Sequence, residues 1–516
     1  MSFKKKNSYL IHFFYLSFLC IYSFFINYYY ASLGSFPVDT FLHFDSSYRI
    51  LNNEYPIRDF WIVSGLVVDF VQSFFFKFFG VNWFAYILHS SLFNLAISLT
   101  IYYFFLSLKL SKLKSLIYSI SFATLSYTIS GTPFVDLHAT YFLLIATLII
   151  INNLNTKKNY IWFFIVILFF LSFLSKQVPA SYAIIVYSFI LFFYFLKREN
   201  YKRIYFIVLS FIIVLFFFIV LLKYNQIDIK AFYIQYLAYP RSIGSSRFLD
   251  ISFEDFLNKF KFILLPVVIL TYFKLKKKNT NFSSEEFIKW LVFLSFTIIM
   301  IFHQIMTKNQ IYIYFLIPIL FGFLENELSY IKIKKGEFIS IFLICLMSFI
   351  TIKYHYRFND NRKFHELNKS QLKNSIQAYK IDKNLKNLKW LNPSFSSNPS
   401  LEASILKKGI VNLDSNFGSK IMLITHYLFL DSVTKNNLNY PSKTFTFDGT
   451  SMPLKGNKFY TEYKLYLLNK IEKKNIQKIL FFKHENLSHS IITDYIKEDC
   501  YEKMNDEIFY IFKLNC

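Results

Sequence analysis

Apolar runs of roughly 20 residues, parted by short clusters of lysine and arginine, recur from about residue 8 to residue 353. A helix of that length spans the ~30 Å hydrocarbon core of a bilayer, where a chain must satisfy its own backbone hydrogen bonds. The runs fall at about 8–30, 83–108, 113–131, 137–154, 160–175, 179–196, 204–222, 261–273, 287–306, 311–325 and 337–353, which predicts eleven spans. A length of 516 residues would ordinarily suggest about three soluble domains, but 54% hydrophobic and only 17% charged residues override that expectation. With a mean hydropathy of +0.36, they exclude a disordered chain, a collagen-like chain and an ordinary soluble enzyme. The expected fold class is an α-helical polytopic membrane protein with a C-terminal α/β or α+β domain.

The formal charge of +25 does not point to nucleic acid, because the basic residues sit between the apolar runs. Counting loops alternately, one side of the membrane holds Lys4–Lys6, Lys109, Lys112, Lys114, Lys157, Lys158, Lys197, Arg198, Lys202, Arg203, Lys274, Lys276–Lys278, Lys332, Lys334 and Lys335. The positive-inside rule makes that side cytoplasmic, so the N-terminus is expected inside and, after eleven spans, the tail outside. A cleaved signal peptide is the competing reading of the first run, but the run is long for one and no small-residue cleavage site closes it. Lys176, Gln177 and Pro179 interrupt the apolar stretch 160–196, which reads as two short spans with a tight outer turn or one kinked span.

The chain is expected to divide into a transmembrane domain, 1–353, and an extracytoplasmic domain, 354–516. The outer loop 32–82 carries Gln72 and Lys77 in the apolar "FVQSFFFKFFG", as in a helix lying in the interface plane. In the tail, 420–430 and 477–484 read as buried strands and 489–498 as a helix. Cys20 and Cys345 lie in apolar runs; Cys500 and Cys516 can pair if the tail faces an oxidising compartment.

The residues suited to chemistry concentrate at the outer loops. Asp39, Asp45 and Asp59 lie in 36–80, and a carboxylate at the interface can accept a proton from an attacking hydroxyl. From local features alone, Asp39 is better suited to capping a helix that begins near Thr40. Asp136 and His138, in "SGTPFVDLHATYF", are either site residues or a helix cap and a structural histidine in a turn built from Gly131, Thr132 and Pro133. Lys176 would snorkel or pair with the phosphate of a lipid-linked donor. Arg241 and Arg247, flanking a Ser/Gly-rich stretch, suit a phosphate or sugar-carboxylate clamp or a plain solvated loop. Lys308, close to His303, Gln304 and Gln310, is a further phosphate candidate. Asp and His here offer no third ligand at metal-site spacing, and no essential metal is expected. No Walker loop, Rossmann fingerprint, HExxH or nucleophile elbow appears in the sequence.

The segment from Asp39 through Tyr48-Arg49-Ile50-Leu51-Asn52-Asn53-Glu54, Pro56-Ile57-Arg58-Asp59-Phe60 and Gly65-Leu66 to Phe79-Gly80 resembles the first outer loop of the GT-C glycosyltransferases. It resembles in particular the bacterial relatives of protein O-mannosyltransferases and of the aminoarabinose transferase acting on lipid A. The sequence departs from that pattern at Asp39-Thr40 in place of an acidic pair, at Asn53 in place of Gly, and at Ser64-Gly65 where Pro is common. The resemblance covers roughly residues 8–350. It implies a GT-C-like fold, Asp39 as catalytic base and Lys176 near the donor phosphate; Arg241, Arg247 and Lys308 join Lys176 as donor-phosphate candidates on their own chemistry. Asp45, Arg58, Asp59, Asp136 and His138 become candidates for substrate contact.

The expected function is an inverting transfer of a sugar from a polyprenyl-phosphate carrier to an envelope glycan, lipid or protein, at the outer face of the inner membrane. No cofactor beyond that lipid-linked donor is expected, and no nucleic-acid partner. The alternatives are an O-antigen polymerase or ligase, and a non-enzymatic lipid or polysaccharide transporter. Low glycine content, 11 residues, and charges gathered at one interface weigh against the transporter.

Overall fold

The computed structural model describes residues 2–244, 251–276, 284–306, 312–330, 336–418, 420–446, 448–485 and 487–515. In chain order the helices begin with α1 (Ser2–Ala31), α2 (Pro37–Thr40), α3 (Leu42–Leu51), α4 (Leu66–Phe79), α5 (Trp83–Ser107) and α6 (Lys112–Leu125). They continue with α7 (Val135–Asn153), α8 (Tyr160–Ser175), α9 (Gln177–Lys197), α10 (Tyr201–Tyr224), α11 (Ile229–Phe232) and α12 (Tyr239–Ile243). Next come α13 (Phe253–Lys276), α14 (Glu285–Met306), α15 (Leu316–Tyr330) and α16 (Gly336–His355). The tail adds β1 (Ile376–Gln377), β2 (Lys389–Trp390), α17 (Pro399–Asn412), β3 (Ile421–Ile424), α18 (Tyr460–Lys473), β4 (Lys478–Phe482), α19 (Ser490–Thr493), β5 (Tyr501–Asn505) and β6 (Phe509–Leu514).

Each of the eleven apolar runs coincides with a helix. Among the described residues eight are long and apolar enough to cross a membrane: α1, α5, α7, α9, α10, α13, α14 and α16. The helices α6, α8 and α15 are shorter, at 14, 16 and 15 residues. Between α8 and α9 the chain breaks at Lys176, which is extended (φ −156°, ψ 140°), so 160–196 holds two helices. The most hydrophobic stretch of α10 has a mean hydropathy of 3.2 yet is only 6% buried, whereas that of α7 is 78% buried. Several long helices with apolar faces left bare mark a membrane-embedded protein, because water would not tolerate that much exposed hydrocarbon.

The chain divides into two compact units. The first comprises 1–31, 90–217 and 247–364; the second comprises 32–89, 218–246 and 365–516. The tail thus shares its unit with the loop after α1 and with a segment around α11 and α12.

In the first unit an aromatic core joins Phe104 and Phe105 of α5, Phe122 of α6, Tyr141 of α7, Phe293 of α14 and Phe315 just ahead of α15. Buried polar side chains tie the helices together, as expected where the surrounding solvent is lipid. Asn27 Nδ2 donates to the Gly131 carbonyl and Asn94 Nδ2 to the Ser23 carbonyl. Gly131 takes φ +78°, and a Cβ there would stand 2.6 Å from Ala31 Cα, so only glycine fits the turn that launches α7. Near the end of α15 away from Tyr312, Glu325 accepts from Lys114 at 2.6 Å and Ser340 at 2.7 Å, and Glu327 pairs with Lys274.

The second unit is built on a four-stranded sheet in the order β3-β4-β6-β5, with β3 and β4 parallel and the other pairs antiparallel. The expected strand at 420–430 narrows to Ile421–Ile424 and that at 477–484 to Lys478–Phe482. Only 490–493 of the expected terminal helix is α-helical. Helix α17 lies so close to β4 that a Cβ on Gly409 would meet the Phe482 ring at 2.6 Å. The loop after α1 packs into this unit: Phe41 meets Trp390 and Phe429, and Trp61 N donates to the Pro441 carbonyl at 2.9 Å. Helix α4 turns Asp69, Gln72 and Ser73 inward while Phe74 and Phe78 stay 60% and 64% exposed, the arrangement an interfacial helix requires. Cys500 is disulfide-bonded, Cys20 and Cys345 are free thiols, and Cys516 lies outside the described residues.

Candidate functional site

In the first unit the break after α8 delivers Lys176 to the first turn of α7. Its Nζ donates to Asp136 Oδ1 at 2.5 Å, and His303 Nε2, on the last turn of α14, lies 2.9 Å from the same oxygen. Tyr312 Oη sits 3.4 Å from His303 Nε2. Phe134, not Asp136, occupies the N-cap position of α7. Asp136 is 5% exposed, so Lys176 and His303 compensate a carboxylate that would otherwise be costly to hold among membrane helices. The Lys176 side chain keeps 18% exposure. Two positions singled out separately in the sequence, Asp136 and Lys176, therefore form one cluster. His138 stands apart from it, its Nδ1 2.5 Å from Tyr127 Oη and its ring stacked on Phe93 at 4.3 Å.

In the second unit Asp39 is half-buried in the first turn of α2. It caps neither α2 nor α3, because the N-cap positions belong to Phe36 and Phe41. Arg58 and Asp59 bind each other at 2.7 Å and close their own loop, Asp59 accepting from Tyr55 N and Arg58 donating to the Asn53 and Asn225 carbonyls. Arg241 is exposed on α12. Arg247 and Lys308 lie outside the described residues.

One turn beyond Asp45 on α3, Arg49 is 2% exposed and stacks on the Phe60 ring at 4.0 Å. Its Nε donates to Glu54 Oε2 at 2.9 Å, and a terminal nitrogen donates to the Tyr440 carbonyl. Lys474 reaches the other Glu54 oxygen at 2.9 Å, and Lys470 donates to the Asp59 and Tyr440 carbonyls. Burial opposes the charge on Glu54, but Arg49, Lys470 and Lys474 hold its carboxyl well below the usual range.

Asp45 fares differently. It is 1% exposed, neither carboxylate oxygen has a hydrogen-bond partner, and Arg49 comes no nearer than 3.9 Å. Burial pushes its carboxyl well up, an effect Arg49 only partly offsets. Burial also raises Asp431, to about 6, despite a 2.7 Å bond from Leu438 N. A cavity of about 270 Å³ adjoins these groups, lined by Tyr48, Arg49, Asn52, Glu54, Asp431 and Thr434 among others. A second buried set links His43, Asp69 and Lys443: Asp69 Oδ1 lies 2.6 Å from His43 Nδ1 and Oδ2 accepts from Lys443 at 2.5 Å.

Asp431, Lys470, Lys474, Asp69 and Lys443 were not singled out in the sequence. Their partners lie up to about 420 residues away in the chain, and no local spacing marks them. The one local signal was Asp431, a charge directly after an apolar run. The chain matches no known protein family, and no curated protein matches it in sequence.

Proposed function

We propose that the protein is an inverting membrane glycosyltransferase that moves a sugar from a polyprenyl-phosphate carrier to a cell-envelope acceptor at the outer face of the inner membrane. The observation that carries this reading is the Asp136–Lys176–His303 cluster at one end of the membrane helices. A lipid-anchored donor presents its phosphate at the interface, and its departure needs cationic stabilisation there. Lys176, oriented by Asp136, supplies an ammonium, and His303 a ring nitrogen. The basic stretch at Lys114 and Lys274 belongs to the other ends of these helices, which the positive-inside rule assigns to the cytoplasm. The disulfide at Cys500 fits a tail in an oxidising compartment.

In this reading Asp39 takes the proton from an acceptor hydroxyl. The hydroxyl oxygen bonds to the anomeric carbon as the carbon–oxygen bond to the phosphate breaks. Polyprenyl phosphate leaves with the bonding electrons, and the configuration inverts. Half-buried rather than sealed, Asp39 meets the access requirement of such a base.

A transporter is the competing reading, favoured by the same cluster, since buried titratable groups in membranes also serve proton relays. Mass spectrometry of lipid-linked sugars, in cells carrying wild-type protein or Asp39→Asn at matched expression, separates the two. A polyprenyl-phosphate monosaccharide is expected to accumulate only in the variant. An unchanged lipid-linked pool would overturn the transferase.

A further inference from the structure

The second unit holds a cavity and, behind its wall, a buried carboxylate without donors. Asp45 lies one helical turn from Arg49 and is electrostatically coupled to Arg49, Asp431 and Tyr48, all three of which line the cavity. A buried carboxylate left without hydrogen bonds is unfavourable and calls for an explanation. The 3.9 Å separation from Arg49 is too long for a direct hydrogen bond.

The chemistry of the lining narrows the ligand. The formal charges of its lining cancel, Arg49 and Lys435 against Glu54 and Asp431. A phosphate or nucleotide would therefore find little attraction. A metal ion is not favoured either, for among the described residues no three His, Cys, Asp or Glu side chains gather as a metal group. What remains at the wall is amide and hydroxyl: Asn52, Asn436, Asn437, Thr434 and Tyr48. Amides, carboxylates and a guanidinium together offer donors and acceptors in close alternation. A hydroxyl group both donates and accepts, so a ring bearing several hydroxyls satisfies such a lining, whereas a purely anionic or purely cationic ligand does not. The exposed Asn52, Lys435 and Asn437 leave the cavity a mouth to solvent.

We infer that this cavity binds a sugar ring through its hydroxyls, with Arg49 and Asp431 as its principal contacts and Asp45 as the group that holds Arg49 ready. The inference rests on the transferase reading only for the origin of the sugar, which it assigns to a glycan acceptor. Asp39 and the cavity lie in one unit, at the two ends of a stretch that includes α3, about 15 Å long by its ten residues.

The test is saturation-transfer NMR on the purified full chain in detergent, with glucose, galactose, mannose and N-acetylglucosamine, and with inorganic phosphate as the contrasting probe. Wild-type protein is expected to receive at least one of the sugars and not phosphate. Asn52→Trp, which fills the cavity from its exposed rim, and Asp431→Asn are each expected to weaken that binding tenfold or more. Asp45→Asn is expected to weaken it less. A thermal melt on each variant shows that the fold survives, and Asn52→Trp keeps the test valid should the buried substitutions unfold the unit. Asp39→Asn is expected to bind sugar normally, so loss of transfer and loss of this site are read separately. No sugar binding by wild-type protein, binding that survives both Asn52→Trp and Asp431→Asn, or binding of phosphate in place of the sugars would each overturn the inference.

Discussion

At the end of the membrane helices, Lys176 and His303 converge on a single oxygen of Asp136; in the second unit, charged side chains from several distant segments surround Asp45, whose oxygens no donor reaches. Both places bury charge, yet the first compensates its carboxylate and the second does not. Surroundings explain part of the difference. Among lipid-facing helices, an uncompensated charge has no water to turn to and must find its partner within the protein. In the second unit the nearest cation, Arg49, stands 3.9 Å from Asp45 and spends its hydrogen bonds on Glu54 and the Tyr440 carbonyl instead. The contrast separates a carboxylate held by direct partners from one held only from a distance.

The sharpest way to break this contrast is to remove one partner from the complete cluster. Lys176→Met leaves Asp136 buried without its ammonium, and losses of about 3 kcal/mol or more follow when a buried pair is halved. A clearly lowered Tm in detergent is expected for the single variant. The double variant Asp136→Asn with Lys176→Met, which removes both charges, is expected to regain most of it. Transfer activity should stay lost in both, because the cation is gone in both. Activity restored along with stability would show that the cluster is only structural.

How far each place could be read beforehand follows from chain distance. Asp136 and Lys176 stand out singly because a charge beside an apolar run is conspicuous, and eleven such runs gave the helices directly. Their pairing was not legible, since the break that carries Lys176 back to α7 depends on how α8 packs. Asp45 stands out as one carboxylate among three, but the groups that act on it electrostatically include Tyr440 and Lys470, roughly 400 residues further on. The sequence reads as a linear division at residue 353, while the compact units interleave three stretches each. Strands β5 and β6 were unmarked: "YEKMN" is polar and largely exposed at a sheet edge, with none of the apolar signal that betrayed β3 and β4.

A second, smaller effect concerns pH. Asp431 has its carboxyl raised to about 6 by burial, against 3.8 ordinarily. Between those values the folded chain holds a proton that the unfolded chain has lost, so stability through this group is full below about pH 4 and declines as pH rises towards 6. The shift corresponds to about 3 kcal/mol. Asp69 and Glu402, each near 7, and Glu485, near 8, share the sign and extend the decline to higher pH. Chemical denaturation from pH 4 to pH 7 should therefore show Asp431→Asn gaining on wild-type protein across pH 4–6 and running parallel above it. A constant difference over the whole range would mean that Asp431 is ionised throughout.

The smallest effect has the opposite sign from the first and tests the contrast most directly. Asp45→Asn replaces a carboxylate without donors by a neutral group of the same shape. It removes a carboxyl whose ionised form burial disfavours and Arg49 meets only from 3.9 Å, and it leaves Glu54 and the Tyr440 carbonyl to hold the guanidinium. An asparagine also brings two N–H donors of its own, which face Arg49 less favourably than a carboxylate does and limit the gain. The balance favours the variant: its Tm at pH 7 is expected to equal or slightly exceed that of wild-type protein, with the difference shrinking as acid neutralises Asp45 itself. A matching substitution in the complete cluster, Asp136→Asn, is expected to lower Tm, because Lys176 and His303 lose the charge that gathers them. A pronounced fall in Tm for Asp45→Asn would show that its negative charge stabilises Arg49 more than burial disfavours it. Asp45 would then be compensated from a distance as Asp136 is by contact.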